Sequence, residues 1–137
     1  MLYQTVIDCK KNESYLLNDW IVESVKDSGV QNGIAIVFAP HTTSGIGVTP
    51  YMLNDEDHLD IHNALDNMIP TRVNYTHQFD TPSDASGHNK SAIMGVSLTL
   101  IVENGKLLMG SSQGVFFFEF DGPRKQKCYL KVYSDRD

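Results

Sequence analysis

The sequence predicts an α+β domain, mostly antiparallel β-sheets packed with two to three short helices. Three observations predict it. Two segments in the first half repeat their apolar residues with helical spacing, and the C-terminal third alternates apolar runs with turn signals. Asn104-Gly105 stands between two of those runs, where a tight hairpin turn belongs. A chain of 137 residues suits one domain, 1–137, and can bury a core without disulfides or a structural metal.

Each element has its own reason. LYQTVIDC alternates and carries β-branched residues, so it reads as an opening strand, with KKNES as the turn that follows. In LNDWIVESVKDSG, Leu17, Ile21 and Val25 fall at i, i+4 spacing, Asn18 is the candidate N-cap and Gly29 the C′ residue. GIAIVFA, bounded by Gly33 and Pro40, is short and rich in Ile and Val, so it reads as a buried strand and delivers His41 to a strand end. A second helix is expected after Asn54, with Asp55, Glu56 and Asp57 favourable to its dipole; Ile61, Leu65, Met68 and Ile69 form its stripe and Pro70 ends it. The polar run PTRVNYTHQFDTPSDASGHNKS is too long for an ordinary connector and reads as a functional loop or an unrecognised short element. VSLTLIVENGKLLMG, GVFFFEF, the turn DGPR and KCYLKVY complete a β-rich second half. GVFFFEF is apolar on both faces, and two short helices on one small sheet would leave such a patch open, so a homo-oligomer is expected to cover it.

Charge and composition exclude several functions. The formal net charge is −6 and no run of Lys and Arg appears, which argues against a general nucleic-acid binder. No apolar stretch approaches the roughly 20 residues that span a bilayer, and the N-terminus lacks the pattern of an export signal, so a cytoplasmic protein with no membrane partner is expected. Cys9 and Cys128 then read as two buried thiols.

Five histidines invite a metal or acid–base reading. His58 and His62 are spaced i, i+4 on the second helix, but H-L-D-I-H lacks the glutamate of the H-E-x-x-H pattern, so they read as solvated or interfacial residues. His41, His77 and His88 sit among small, hydrogen-bonding residues at element ends: PHTTSG, NYTHQ and SGHNK. Three imidazoles with an open position would suit a catalytic divalent cation, Zn, Ni or Fe better than Mg. Thr42, Thr43 and Ser44 offer hydroxyls, and both the turn through Gly45 and the segment GSSQG (110–114) could present N–H groups to an anion. Neither is a P-loop. Arg124 is either a partner for phosphate or carboxylate or a turn residue paired with Asp121.

The order HTTSGI, NDEDHLDI, NYTH, GHNKSAIMGVS and GKLLMGSSQGVFFFEFDGPRKQK resembles the secondary thiamine-phosphate synthase family, also called the YjbQ-like family, from about Gly33 to the C-terminus. The resemblance implies a homotrimer of α+β domains with a polar site near the subunit boundaries. It implies a metal-binding or catalytic set of His41, His77 and His88, and recurrent family positions at Gln113, Glu119 and Arg124. This chain departs from the usual N-E-N-A-D at Asn54-Asp55-Glu56-Asp57-His58, carries an apparent insertion TPYML, and has Ser112-Gln113 in place of W-Q.

The activity implied is the joining of a hydroxymethylpyrimidine diphosphate to a thiazole phosphate with loss of pyrophosphate. In that reading His41, His77 and His88 hold a divalent cation, zinc or similar, while Lys90 and Arg124 neutralise phosphate oxygens. Thr42, Thr43, Ser111, Ser112 and Gln113 contact the anion, and Glu119 orients a ligand histidine. A metal-dependent hydrolase or lyase, and a non-catalytic trimer that binds a small phosphorylated metabolite, are the alternatives.

Overall fold

In the computed structural model, residues 1–51, 55–71, 75–76 and 82–136 are described, residues 55–59 and 82 by their backbone alone. The elements in chain order are β1 (Leu2–Cys9), β2 (Glu13–Leu16), α1 (Asn18–Ser28), β3 (Gly33–Phe38), β4 (Ser44–Pro50) and α2 (Asp55–Met68). They continue with α3 (Pro82–Met94), β5 (Ser97–Glu103), β6 (Lys106–Leu107), β7 (Gln113–Glu119) and β8 (Arg124–Ser134). The α+β class and the antiparallel sheets are as the patterning predicts.

The strands form a five-stranded sheet in the order β1-β8-β3-β5-β6 and a three-stranded sheet in the order β2-β7-β4. Their inner faces enclose the main core. Ala35, Val37, Leu100, Val102, Leu130 and Val132 come from the larger sheet. Ile46, Val115 and Phe117 come from the smaller one, and Leu17, Ile21 and Val25 of α1 close the side. Period-2 alternation drives this assembly, since a one-residue slip in β8 would turn Cys128, Leu130 and Val132 to solvent. At the β5–β6 turn Asn104 and Gly105 both take positive φ, 52° and 76°, the conformation a two-residue hairpin turn requires.

Three expectations need correction, and one pair of alternatives is decided. GVFFFEF does not leave an open face: Val115 and Phe117 point into the main core, while Phe116, Phe118 and Phe120 pack under Ile61 and Leu65 of α2 and Met94 of α3. The turn expected through Gly45 is instead part of strand β4, SGIGVTP, whose Gly45 and Gly47 make room for α3. A methyl group on Gly45 would lie 2.7 Å from the Met94 sulfur. PSDASGHNKSAIM is helix α3, so of the two readings of that run the unrecognised element is the one realised over 82–94, and His88 and Lys90 are helical. Finally, the N-cap of α1 is Leu17, with no side-chain cap hydrogen bond; Asn18 instead donates to the Gln113 carbonyl (3.2 Å) and accepts from the Val115 N–H (2.8 Å).

Both cysteines are buried free thiols, as expected, and burial pushes each up to about 12. Cys9 pairs with Arg124 and Cys128 with Thr5, four rungs apart on adjacent strands, about 13 Å and beyond disulfide reach. No helix among the described residues is long and apolar enough to cross a membrane.

Candidate active site

The strand end after β3, the end of β7, the start of β8 and one side of α3 meet at one end of the sandwich. His41 leaves β3 with its backbone N–H on the Ala39 carbonyl (2.9 Å) and its ring edge-on to Phe117, 6.2 Å between centroids. Its Nε2 lies 2.7 Å from the Lys127 carbonyl, an acceptor only, so Nε2 carries the proton and, in the neutral tautomer, the lone pair is on Nδ1.

His88 is held more tightly. Nδ1 is 2.9 Å from the Thr42 carbonyl, and Nε2 is 3.1 Å from Oδ2 of Asp84, one helical turn earlier on α3. Both neighbours are oxygen acceptors, so a ring nitrogen donates to its neighbour only when it carries a proton, and both contacts are hydrogen bonds at once only in the doubly protonated ring. His41, Thr42 and His88, with Ser91, Ala92, Gly95 and Val96, line an open cavity of about 550 Å³. That is within the size range of small-metabolite sites.

Behind this cavity lies a buried polar seam. Glu119, fully buried, accepts from the Thr43 hydroxyl (3.3 Å), the Asp121 N–H (3.1 Å) and the Gln126 amide (2.8 Å). Burial pushes its carboxyl above the usual range, an effect opposed by those donors and by the Arg124 charge. Asp121, also buried, accepts from the Ser83 hydroxyl and from Nη2 of Arg124 (2.7 Å). Of the two readings of Arg124, the pairing with Asp121 is therefore realised; the guanidinium is 44% exposed and makes no other hydrogen bond among the described residues.

Thus His41, Thr42, Thr43, His88, Glu119 and Arg124 share one end of the molecule. Lys90, 2% exposed, pairs with Asp66 and ties α3 to α2. Ser111, Ser112 and Gln113 stand at the other end of β7, about 20 Å away along the seven-residue strand. His77 lies outside the described residues, as do the side chain of His58 and, in TPYML, Met52 and Leu53. Among the described residues no group of three His, Cys, Asp or Glu side chains is placed to hold a metal ion. His62, read as solvated or interfacial, is 3% exposed and packs on Phe118 and Phe120, ring centroids 5.8 and 6.0 Å away.

Sequence reasoning missed Asp84, Ser83 and Gln126 as partners in the site. The first had a signal: Asp84 and His88 are spaced i, i+4, legible once the segment is helical. Ser83 and Gln126 had none, since their partners lie elsewhere in the chain.

Comparison with known proteins shows the family and the fold. The family model described as "UPF0047 protein YjbQ-like" matches residues 4–135. The chain belongs to the UPF0047 (YjbQ-like) family. UPF0047 protein MJ1081 of Methanocaldococcus jannaschii is 39% identical over 137 residues, covering 99% of this chain and 96% of that protein. UPF0047 protein YugU of Bacillus subtilis is 33% identical over 125 residues, covering 90% and 91%. An uncharacterised YjbQ/UPF0047 protein from Clostridium acetobutylicum, solved as a crystal structure, superposes with a TM-score of 0.88 at 33% identity, covering 96% of this chain and 99% of that one. The family carries no assigned activity in these relatives' names, so function has to be argued from the cavity.

Proposed function

We propose that this UPF0047 protein is an enzyme acting on a small phosphorylated metabolite in the cavity between His41 and His88. The specific reaction is that of a secondary thiamine-phosphate synthase, a transferase joining a pyrimidine diphosphate to a thiazole phosphate and releasing pyrophosphate. The observation that carries this reading is the His88 ring, whose nitrogens both face oxygen acceptors, Thr42 and Asp84. In its doubly protonated form this ring, fixed on the wall of a partly apolar cavity, would stabilise negative charge as pyrophosphate departs. Arg124, anchored by Asp121 and half exposed, is a second cation at the same end for a phosphate oxygen. Thr42 contributes its hydroxyl; Thr43 and Glu119 position the strand end behind it, and Lys90 braces α3 through Asp66.

The test is pyrophosphate release from the two thiamine precursors, compared with a His88→Ala control. Release no faster than in the control would leave the non-catalytic metabolite-binding trimer. The trimer itself is part of the proposal, with the outer face of the five-stranded sheet as its contact.

A second reading is favoured by His41. Its Nε2 donates to a backbone carbonyl, as metal-ligating histidines commonly do, and Nδ1 is left able to ligate. With His77 it would hold zinc or a similar cation, which would supply an activated water to a hydrolase or lyase. His88 fits that role only if Nε2 leaves Asp84. Equal metal content in untagged wild-type protein and His41→Ala would remove this reading.

A further inference from the structure

A second cavity, about 750 Å³, opens at the opposite end of β7, between α1, the β5–β6 turn and the loop before β7. It is distinct from the histidine cavity: Gln113 on its rim and Glu119 behind that cavity are the two ends of the seven-residue β7, about 20 Å apart. Its wall is apolar, from Leu16 and Val22 to Leu107 and Met109, with Tyr51 as an aromatic side, 40% exposed. Three exposed apolar side chains around one concavity, Leu16, Val22 and Tyr51, are the surface a ligand would cover.

Its polar groups are unevenly charged. Lys26 at the end of α1 and Lys106 at the hairpin both line it, and neither makes an ion pair among the described residues. Asp19 is the one carboxylate in the lining, so this wall is net positive on a chain whose formal charge is −6. The loop beside the lysines is held in shape: the Gln113 N–H donates to the Gly110 carbonyl (3.1 Å), and the Gln113 side-chain oxygen accepts from the Gly110 N–H (2.8 Å). The Tyr51 N–H, in turn, donates to the Ser112 carbonyl (2.9 Å). Ser111, at the tip, makes no hydrogen bond among the described residues, so its hydroxyl is available.

We infer that this cavity is a separate binding site for a small metabolite consisting of a flat ring and an anionic group, the ring lying against Tyr51 and Met109 and the anion between Lys26, Lys106 and Ser111. The ring accounts for the apolar wall; the anion accounts for two unpaired lysines facing one concavity.

Phenyl phosphate is the probe. Titrated into uniformly ¹⁵N-labelled full-length protein, it is expected to move the backbone amides of Val22, Lys26, Tyr51 and residues 106–113 along one saturating curve. The double variant Lys26→Ala/Lys106→Ala should bind at least about tenfold more weakly, as should phenol or inorganic phosphate with the wild-type protein. Both lysines are exposed, so the variant keeps the fold, and an unchanged spectrum away from the cavity checks this. Shifts confined to residues 41–43 and 88–96, or equal affinity in the double variant, would overturn the assignment. Equal binding of inorganic phosphate alone would overturn the ring.

Discussion

Asp84 and His88 stand one turn apart on α3, with the carboxylate oxygen 3.1 Å from Nε2 of the ring and the Thr42 carbonyl 2.9 Å from Nδ1. The carboxylate thereby fixes the orientation of the imidazole, and the contact is a hydrogen bond when Nε2 carries a proton. In Asp84→Asn the ring loses its charged partner while the helix keeps its shape. A hydrogen bond to a charged group is worth about 1.5–3 kcal/mol, so under the proposed function pyrophosphate release is expected to fall about 10- to 100-fold. The ¹⁵N NMR signature of His88 should change from two protonated ring nitrogens to one. An unchanged ring spectrum in the variant would show that Asp84 does not hold the charge.

Glu119 gives the fold a pH dependence of unusual sign. Its carboxyl is raised by burial, so between the ordinary carboxylate range and the raised value the folded chain holds a proton that the unfolded chain has released. Stability from this group is therefore present at low pH and lost as pH rises through that window. Glu119→Gln keeps an acceptor for Thr43 and the Asp121 N–H but removes the titration. In urea unfolding from about pH 4 to about pH 8, its stability relative to wild type should increase with pH and then level off. A constant difference across the range would mean the buried carboxyl does not titrate there.

Much of the architecture was legible because it rests on local pattern. Leu17, Ile21 and Val25 define α1, and the alternation through Cys128, Leu130 and Val132 defines β8. What escaped depends on non-local packing. Helix α3 has no apolar stripe: it buries Ser83, Lys90 and Ser91, whose partners come from the turn after β7, α2 and β4, and Asp84 and Ser86, which bond to His88 and to the Ser83 carbonyl within the helix. In β4, glycines replace one apolar face because Met94 occupies the space. The same cause limited the site: motif order pointed to His41 and His88, yet the separation of Ser111–Gln113 from them is set by the direction of β7, which composition does not reveal.

Asn18 illustrates this difference and yields a test. As a helix cap it would be replaceable by Ser or Asp. As the bridge to β7 it is not, because its amide both donates to Gln113 and accepts from the Val115 N–H. Asn18→Ala should cost about 1–3 kcal/mol by leaving a buried N–H without its acceptor. Asn18→Ser, too short to span to β7, should show nearly the same loss. Full rescue by Ser would restore the capping role.

The buried thiols predict chemical silence. With Cys9 and Cys128 both inside the core and raised to about 12, thiolate is scarce and reagent access is blocked. A chromogenic disulfide reagent at neutral pH should label neither in the native protein and both after unfolding in guanidinium. Rapid native labelling would mean that β1 opens from β8 far below the global unfolding free energy.

The proposed trimer makes its prediction on the outer face of the large sheet. Ile34 is paired in register with Ile101 on one side and Tyr133 on the other, so these three form a single row across β5, β3 and β8, exposed by 54%, 36% and 43% for Ile101, Ile34 and Tyr133. Phe38 on the same face of β3 and Leu2 on β1 extend it. Among the described residues neither helices nor the smaller sheet cover this face, whose apolar area a second copy would remove from water at about 25 cal/mol per Å². Charges placed in the middle of the row should therefore break the assembly without touching the core. Ile34→Lys/Ile101→Lys is expected to sediment as a 15.3 kDa monomer with an unchanged far-ultraviolet spectrum, while the wild-type protein at micromolar concentration sediments at three times that mass. A wild-type monomer, or a variant that stays trimeric, would move the contact off this sheet or dispose of it.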